Sequence, residues 1–190
     1  MTLAAVGQLC SGAVIADNLL AARSVISRAA RAGAKLICLP EATDFIASAA
    51  SVGALTRSAD DAAFVEGVCA AAREAGSYVS VGIHEAPPSS SPAKEGVAQG
   101  TANEDGGRCF NTQLLIDSQG SIVQRYRKLH LFDVDIKGGL SILESNTTIR
   151  GAELQPPHDS PVGKIGVRTA CLAVEITFKT DHVFLSHDSS

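Results

Sequence analysis

Three short apolar runs separated by two stretches of helical spacing constrain this chain more than any other feature. Residues 3–10 (Leu-Ala-Ala-Val-Gly-Gln-Leu-Cys) form an apolar run that stops at Ser11-Gly12, the pattern of a buried strand. From Asp17 to Ala32, Leu19, Leu20, Val25, Ile26 and Ala29 recur at helical intervals, with Asp17 as N-cap and Gly33 as the stop. Lys35 to Leu39 is a second strand ended by Pro40. Ala59 to Ala75 is a second helix, with Ala63, Phe64, Val68 and Ala71 on its apolar face and Gly76 beyond it. Tyr78 to Ile83 is a third strand. Strand, helix, strand, helix, strand predicts an α/β fold, a sheet with helices packed on it.

Residues 86–107 then turn to Pro, Ser, Gly and charge, which predicts an exposed loop inserted within the domain rather than a linker between domains. Beyond it the chain returns to the sheet. Cys109 to Asp117 reads as a strand, Ser118-Gln119-Gly120 as a turn and Ser121 to Tyr126 as the return strand of a hairpin. No internal repeat is present.

With 190 residues, 45% of them hydrophobic and 19% charged, the chain has the material for one packed domain. Its net charge of -4, the absence of tryptophan and an aromatic content of 4% argue against a nucleic-acid binder, which concentrates basic charge and stacking rings on one surface. The five cysteines, Cys10, Cys38, Cys69, Cys109 and Cys171, form no Cys-x-x-Cys pair, and the histidines do not stand beside them at zinc-ligand spacing. The expectation is reduced thiols, a cytoplasmic location and no metal. No uncharged apolar stretch reaches 18 residues, so no membrane partner is expected. No Lys or Arg precedes Arg23, which does not fit a signal peptide, and Met1 leads almost at once into the first strand, which does not fit a transit peptide.

Three places carry candidate chemistry. Glu41, in Leu39-Pro40-Glu41-Ala42, follows an apolar strand at the carboxyl end, where open α/β sheets bind ligands. Lys128 lies in the partly apolar Tyr126-Arg127-Lys128-Leu129-His130-Leu131-Phe132. Cys171 follows a possible strand that begins at Lys164. Taken singly, such residues are usually a solvated glutamate, a solvated lysine and a small core side chain.

Taken in order they resemble one family. Gly7-Gln8, Leu39-Pro40-Glu41-Ala42, Asn111-Thr112, Tyr126 to Asp133, Glu144-Ser145, Gly151 and Pro161-Val162-Gly163-Lys164-Ile165-Gly166 follow the sequence of motifs in the nitrilase superfamily of carbon–nitrogen hydrolases. The Tyr-Arg-Lys-Leu-His-Leu-Phe-Asp-Val-Asp stretch looks most like the Nit amidase branch, which includes omega-amidase and deaminated glutathione amidase. The resemblance covers about residues 3–167 and implies an αββα sandwich with a Glu-Lys-Cys triad. It implies Glu41 as general base, Lys128 as the oxyanion's partner and Glu144 as a supporting, substrate-side acid. It further implies a small carboxylated amide as substrate, a thioester intermediate, no cofactor and a homo-oligomer. Glu41 and Lys128 sharing one substrate should then lie within about 3–5 Å of each other.

The resemblance breaks at the nucleophile. The family pattern places cysteine after a glycine and three small or apolar residues, followed by Tyr-Asp. Here Gly166-Val167-Arg168-Thr169-Ala170 precedes Cys171, and Leu172-Ala173-Val174 comes after it. The thiol is one residue late, and one residue turns a strand side chain to the opposite face. A β-bulge would restore the register but not the missing motif. Residues 168–190 therefore read as an atypical tail on an incomplete sandwich, of the kind a frameshift, a retained intron or an alternative transcript would each produce. The competing expectation is an inactive half-domain that acts, if at all, as a partner of a full-length paralogue.

Overall fold

The computed structural model describes residues 2–88 and 107–169, together with the backbone of 182–186. Strand β1 (Leu3–Gln8) leads to helix α1 (Ile15–Arg31), strand β2 (Ala34–Cys38), the short helix α2 (Ala49–Leu55), helix α3 (Ala59–Ala75) and strand β3 (Tyr78–Glu85). The hairpin β4 (Cys109–Ile116) and β5 (Ile122–Arg127) comes after them. Short pairs are next: β6 (Asp133–Asp135) with β7 (Ser141–Leu143), a 3-10 turn at Glu144–Asn146, β8 (Thr148–Ile149), and β9 (His158–Ser160) with β10 (Gly163–Ile165). Strand β11 (His182–Ser186) is the last.

One mixed sheet holds the elements together, in the order β11-β1-β2-β3-β4-β5 with β8 beside β4. Strands β11, β1, β2 and β3 run parallel, and β3-β4-β5 alternate in direction. One face is covered by α1 and α3. Val25, Ile26 and Ala29 from α1, with Phe64 and Val68 from α3, pack on Ala5, Ile37, Val79 and Leu114 of the strands. Because side chains alternate along a strand, Ala4, Leu36, Cys38, Leu115 and Tyr126 point to the other face, where Ile165 and Val167 lie on them. The described residues thus form one helix layer on one sheet, the α/β half of a sandwich.

The helix ends show why the boundaries fall where they do. Ser58 caps α3 by accepting from the Asp61 amide at 3.2 Å, and Gly76 closes it in the left-handed conformation (φ 57). The expected cap of α1 is corrected. Asp17 lies inside the first turn, where its carboxylate faces the positive end of the helix, and Val14 is the N-cap with no side-chain bond. Asn18 does the local tying instead. Its side chain exchanges hydrogen bonds with Gly12 (2.9 and 2.8 Å) and donates to the Asp44 carbonyl at 2.8 Å, fixing the loop after β2.

Of the loop expected at 86–107, residues 89–106 lie outside the described residues. So does most of the 168–190 segment, apart from Arg168, Thr169 and the backbone of β11. That strand pairs parallel with β1, from Ala4 opposite His182 to Gln8 opposite Ser186, and extends the sheet beyond the elements read from the sequence.

Candidate active site

The turn after β2 presents the first carboxylate. Ala42 adopts φ 53, a conformation that costs a non-glycine residue about 1–2 kcal/mol. The turn is held there by its neighbours: Gly82 N donates to Pro40 O (3.1 Å), Thr43 N to Gly82 O (2.8 Å) and Thr43 Oγ1 to Pro40 O (2.6 Å). Gly82 is what allows the approach. A Cβ there would fall 2.5 Å from the Glu41 Cα, against backbone that cannot yield.

Lys128 comes directly after β5, with its amide on the Asn111 carbonyl (2.8 Å) and its own carbonyl accepting from Gly151 N (2.9 Å). Its side chain is 3% exposed and the ammonium lies between two carboxylates, 3.1 Å from Glu41 Oε1 and 3.0 Å from Glu144 Oε2. Burial alone would lower its pKa. The hydrogen bond to Glu144 and the charge of Glu41 outweigh that and raise it, so Lys128 stays an ammonium. Glu144, at the start of the 3-10 turn, is fixed by the Phe132 amide, which donates to its Oε2 at 2.7 Å.

Two further residues complete the cluster. The Asn111 side-chain amide donates to both carboxylates, to Glu41 Oε1 and to Glu144 Oε1 (3.1 Å). Thr169 Oγ1 donates to Glu41 Oε2 at 3.2 Å from a side chain that is itself buried. In the sequence Asn111 stands only as part of a motif and Thr169 only as a misfit. The available signal is the polar run Asn111-Thr112-Gln113 inside an otherwise apolar strand. Cys171, the expected nucleophile, lies outside the described residues. Thus Glu41, Lys128 and Glu144 meet, drawn from three separate parts of the chain.

The cluster opens on a cleft of about 960 Å³, whose lip carries Ile46, Phe132 and Ile142. His84 lines it too. The Asp44 carboxylate accepts from His84 Nδ1 (3.0 and 3.2 Å), from the His84 amide (2.6 Å) and from the Phe45 amide (2.9 Å), and the Phe45 ring stacks on the imidazole at 4.2 Å. Asp61, in the first turn of α3, lies against Asp44. Burial first and then the Asp44 charge push its pKa up to about 7. Among the described residues no group of three or more His, Cys, Asp or Glu is placed to hold a metal ion, and no helix is long and apolar enough to cross a membrane.

A sheet layered with helices on one face, with a buried ammonium clamped by two carboxylates at the carboxyl end of its strands, defines an α/β protein with the groups of acid–base and oxyanion chemistry at one site. The carbon-nitrogen hydrolase model matches residues 3–171, and the chain belongs to that family. It is 40% identical over 168 residues to a probable hydrolase, nit2, of Schizosaccharomyces pombe, covering 87% of this chain and 55% of the relative. It is 34% identical over 168 residues to deaminated glutathione amidase of Rattus norvegicus, covering 88% of this chain and 47% of that protein. The chain therefore spans about half the length of these relatives. The crystal structure of the C. elegans NitFhit protein superposes with a TM-score of 0.73 at 32% identity, covering 88% of this chain and 38% of that one. Saccharomyces cerevisiae Nit3, at 21% identity, shares the fold with a TM-score of 0.59, covering 83% of this chain and 51% of that chain.

Proposed function

We propose that this chain carries an amidase site that cleaves a small carboxylated amide to the acid and ammonia through a cysteine thioester. The observation that carries this reading is the buried Lys128 ammonium held at 3.0–3.1 Å between Glu41 and Glu144 on the wall of an open cleft. An amide resists attack unless a strong nucleophile meets a carbonyl whose developing negative charge is stabilised. Glu41 takes the proton of the Cys171 thiol as sulfur bonds to the carbonyl carbon, and the electron pair moves to the oxygen, against Lys128. Glu41 returns that proton to the nitrogen, the C–N bond breaks and ammonia leaves a thioester. Water, deprotonated by Glu41, then displaces the thiolate and releases the acid. Glu144 keeps Lys128 charged and in place on the substrate side. No metal or organic cofactor enters this scheme. Relatives named hydrolase and deaminated glutathione amidase support it. With it go a reduced, cytoplasmic setting and a homo-oligomer, and residues 3–167 as the N-terminal part of the hydrolase domain.

One observation favours a second reading. Thr169 occupies Glu41 Oε2, the oxygen that Lys128 and Asn111 leave open, and does so two residues before Cys171. Residues 168–190 are then a departure from the hydrolase pattern, and the chain is an inactive half-domain that works, if at all, beside a full-length paralogue. The test compares ammonia release from small omega-amides by the 190-residue chain and by a version whose residues after Val167 are replaced by a family-type C-terminal half. Turnover by the short chain that Cys171→Ala abolishes establishes the first reading. Turnover confined to the replaced version, lost again with Glu41→Gln, establishes the second.

A further inference from the structure

We propose that His84 is a specificity-determining residue of the cleft, which binds the anionic end of the substrate. The proposal rests on the amidase reading for the position of the amide, but the preference for an anion comes from the histidine's own surroundings. His84 stands directly opposite Asn111 in the β3–β4 register. Opposed residues on antiparallel strands project from the same face with their Cβ atoms about 5 Å apart. The imidazole is therefore one cross-strand step from the amide group that bridges Glu41 and Glu144. Asp44, three residues beyond Glu41 on the same turn, turns the ring by engaging Nδ1, and Nε2 has no partner among the described residues.

Charge counting assigns the ligand. Of the described side chains lining the cleft, Lys128 and His84 are the two that can carry positive charge. Lys128 is matched by two carboxylates, so the catalytic end of the cleft is one charge negative and repels an anion, whereas a protonated His84 paired with Asp44 leaves its end neutral. The Asp44 carboxylate takes up Nδ1–H, so Nε2 is the ring nitrogen left to meet a ligand, and when the ring carries its second proton Nε2–H is a donor for a carboxylate in the cleft. A short amide with a carboxylate at its other end fits this polarity: carbonyl toward Lys128, carboxylate toward His84. The titratable groups about the ring are few. Asp44 comes from the turn after β2 and Asp61 from α3. Glu85, on β3 itself, is engaged by Arg125 and Arg127 of β5, at 3.3 and 2.9 Å. Strand β4 contributes the uncharged Asn111 and Thr112.

Binding tests this without requiring turnover. Succinamate and the neutral propionamide are titrated into the 190-residue chain while the His84 Cε1–H resonance is followed by NMR, assigned by its loss in His84→Gln. Succinamate is expected to shift that resonance and to bind at least tenfold more weakly to His84→Gln, with propionamide bound equally by both. Equal succinamate binding by the two proteins overturns the proposal, as does failure of succinamate to move the His84 resonance. The unmutated chain gives an independent measure: its affinity for succinamate should fall as pH rises through the midpoint of the His84 resonance itself, and a flat profile overturns the proposal. Lys128→Met separates the two readings. If it leaves binding of both amides intact while His84→Gln weakens succinamate alone, the amidase placement fails and the His84 site stands.

Discussion

Lys128 is buried with its charge, and what holds it there sets the cost of removing it. Lys128→Met would leave Glu41 and Glu144 facing each other across Asn111 with no cation between them. Breaking a buried pair by deleting one partner costs about 3–5 kcal/mol. The lower end applies here, because the Glu41 side chain is 37% exposed and screened by solvent. The two facing carboxylates would then repel each other in the folded chain, and acid relieves that repulsion by protonating them. The loss should be greatest at neutral pH and shrink below about pH 4.5, where both states are protonated; urea denaturation at the two pH values measures this. Asp61 has the same sign. Its pKa is about 7 in the folded chain against 3.8 as the ordinary value, so the folded state holds a proton that the unfolded state gives up from about pH 4. Stability contributed at this site falls as pH rises from about 4 to 7 and levels off above. Asp61→Asn removes the dependence: its melting temperature relative to the unmutated chain should climb between pH 4 and pH 8. A gap that stays constant with pH would mean that Asp61 is not held protonated.

Elements explain how much of this was legible in the sequence. Helical spacing gives α3 to the residue, because Ser58 and Gly76 are local signals and the helix obeys them. In α1 the apolar stripe is equally plain, but the start moves two residues upstream of Asp17. The bonds of Asn18 to Gly12 and, 26 positions along the chain, to the Asp44 carbonyl decide that end, and the helical pattern contains neither. Helix α2 and the short pairs after β5 are too brief to leave a periodicity. The site divides in the same way. Glu41, Lys128 and Glu144 are legible through motif resemblance, and the contacts join residues 87 and 16 positions apart. The Asp44–His84 pair, 40 positions apart, has no motif to announce it. Gly82 links the two levels, since an ordinary-looking glycine in β3 is what admits the Glu41 turn. Gly82→Ala would set a Cβ 2.5 Å from Glu41 Cα and 2.8 Å from the Pro40 carbonyl. Overpacking of this kind costs about 1–3 kcal/mol, and here it is relieved by moving Glu41. The expected result is a lower melting temperature together with a weakened effect of Glu41→Gln on amide binding, because Glu41 would already be displaced.

At the scale of the whole molecule, the sheet has two unlike faces, and the cysteines report on both. The helix-covered face is closed by the side chains of α1 and α3. The opposite face depends on residues 162–167 lying over Leu36, Cys38 and Tyr126. Polar side chains share that second face: Gln113 donates to Ser80 Oγ at 2.9 Å, and Gln124 donates to the Pro156 carbonyl, drawing the 156–167 segment onto the sheet. Cys38 sits under this cover, 4% exposed, and burial pushes its pKa up to about 12. Cys109, where β4 meets β8, is fully buried with its pKa raised to about 11, again chiefly by burial. Cys10 is exposed and Cys69 half-buried. Since the thiolate is the reacting form, iodoacetamide at pH 8 should label Cys10 first and Cys69 more slowly, while Cys38 and Cys109 remain unmodified until denaturant is added. Peptide mass spectrometry over a time course reads the four rates separately. Rapid labelling of Cys38 with Cys109 still protected would mean that the 156–167 segment does not hold the second face in solution, although the helix-covered layer is intact. Gln124→Ala should move the molecule in that direction, because it removes the bond to Pro156 and leaves the helix side untouched. The rate at Cys38 should rise in that variant, and the rate at Cys109 should not.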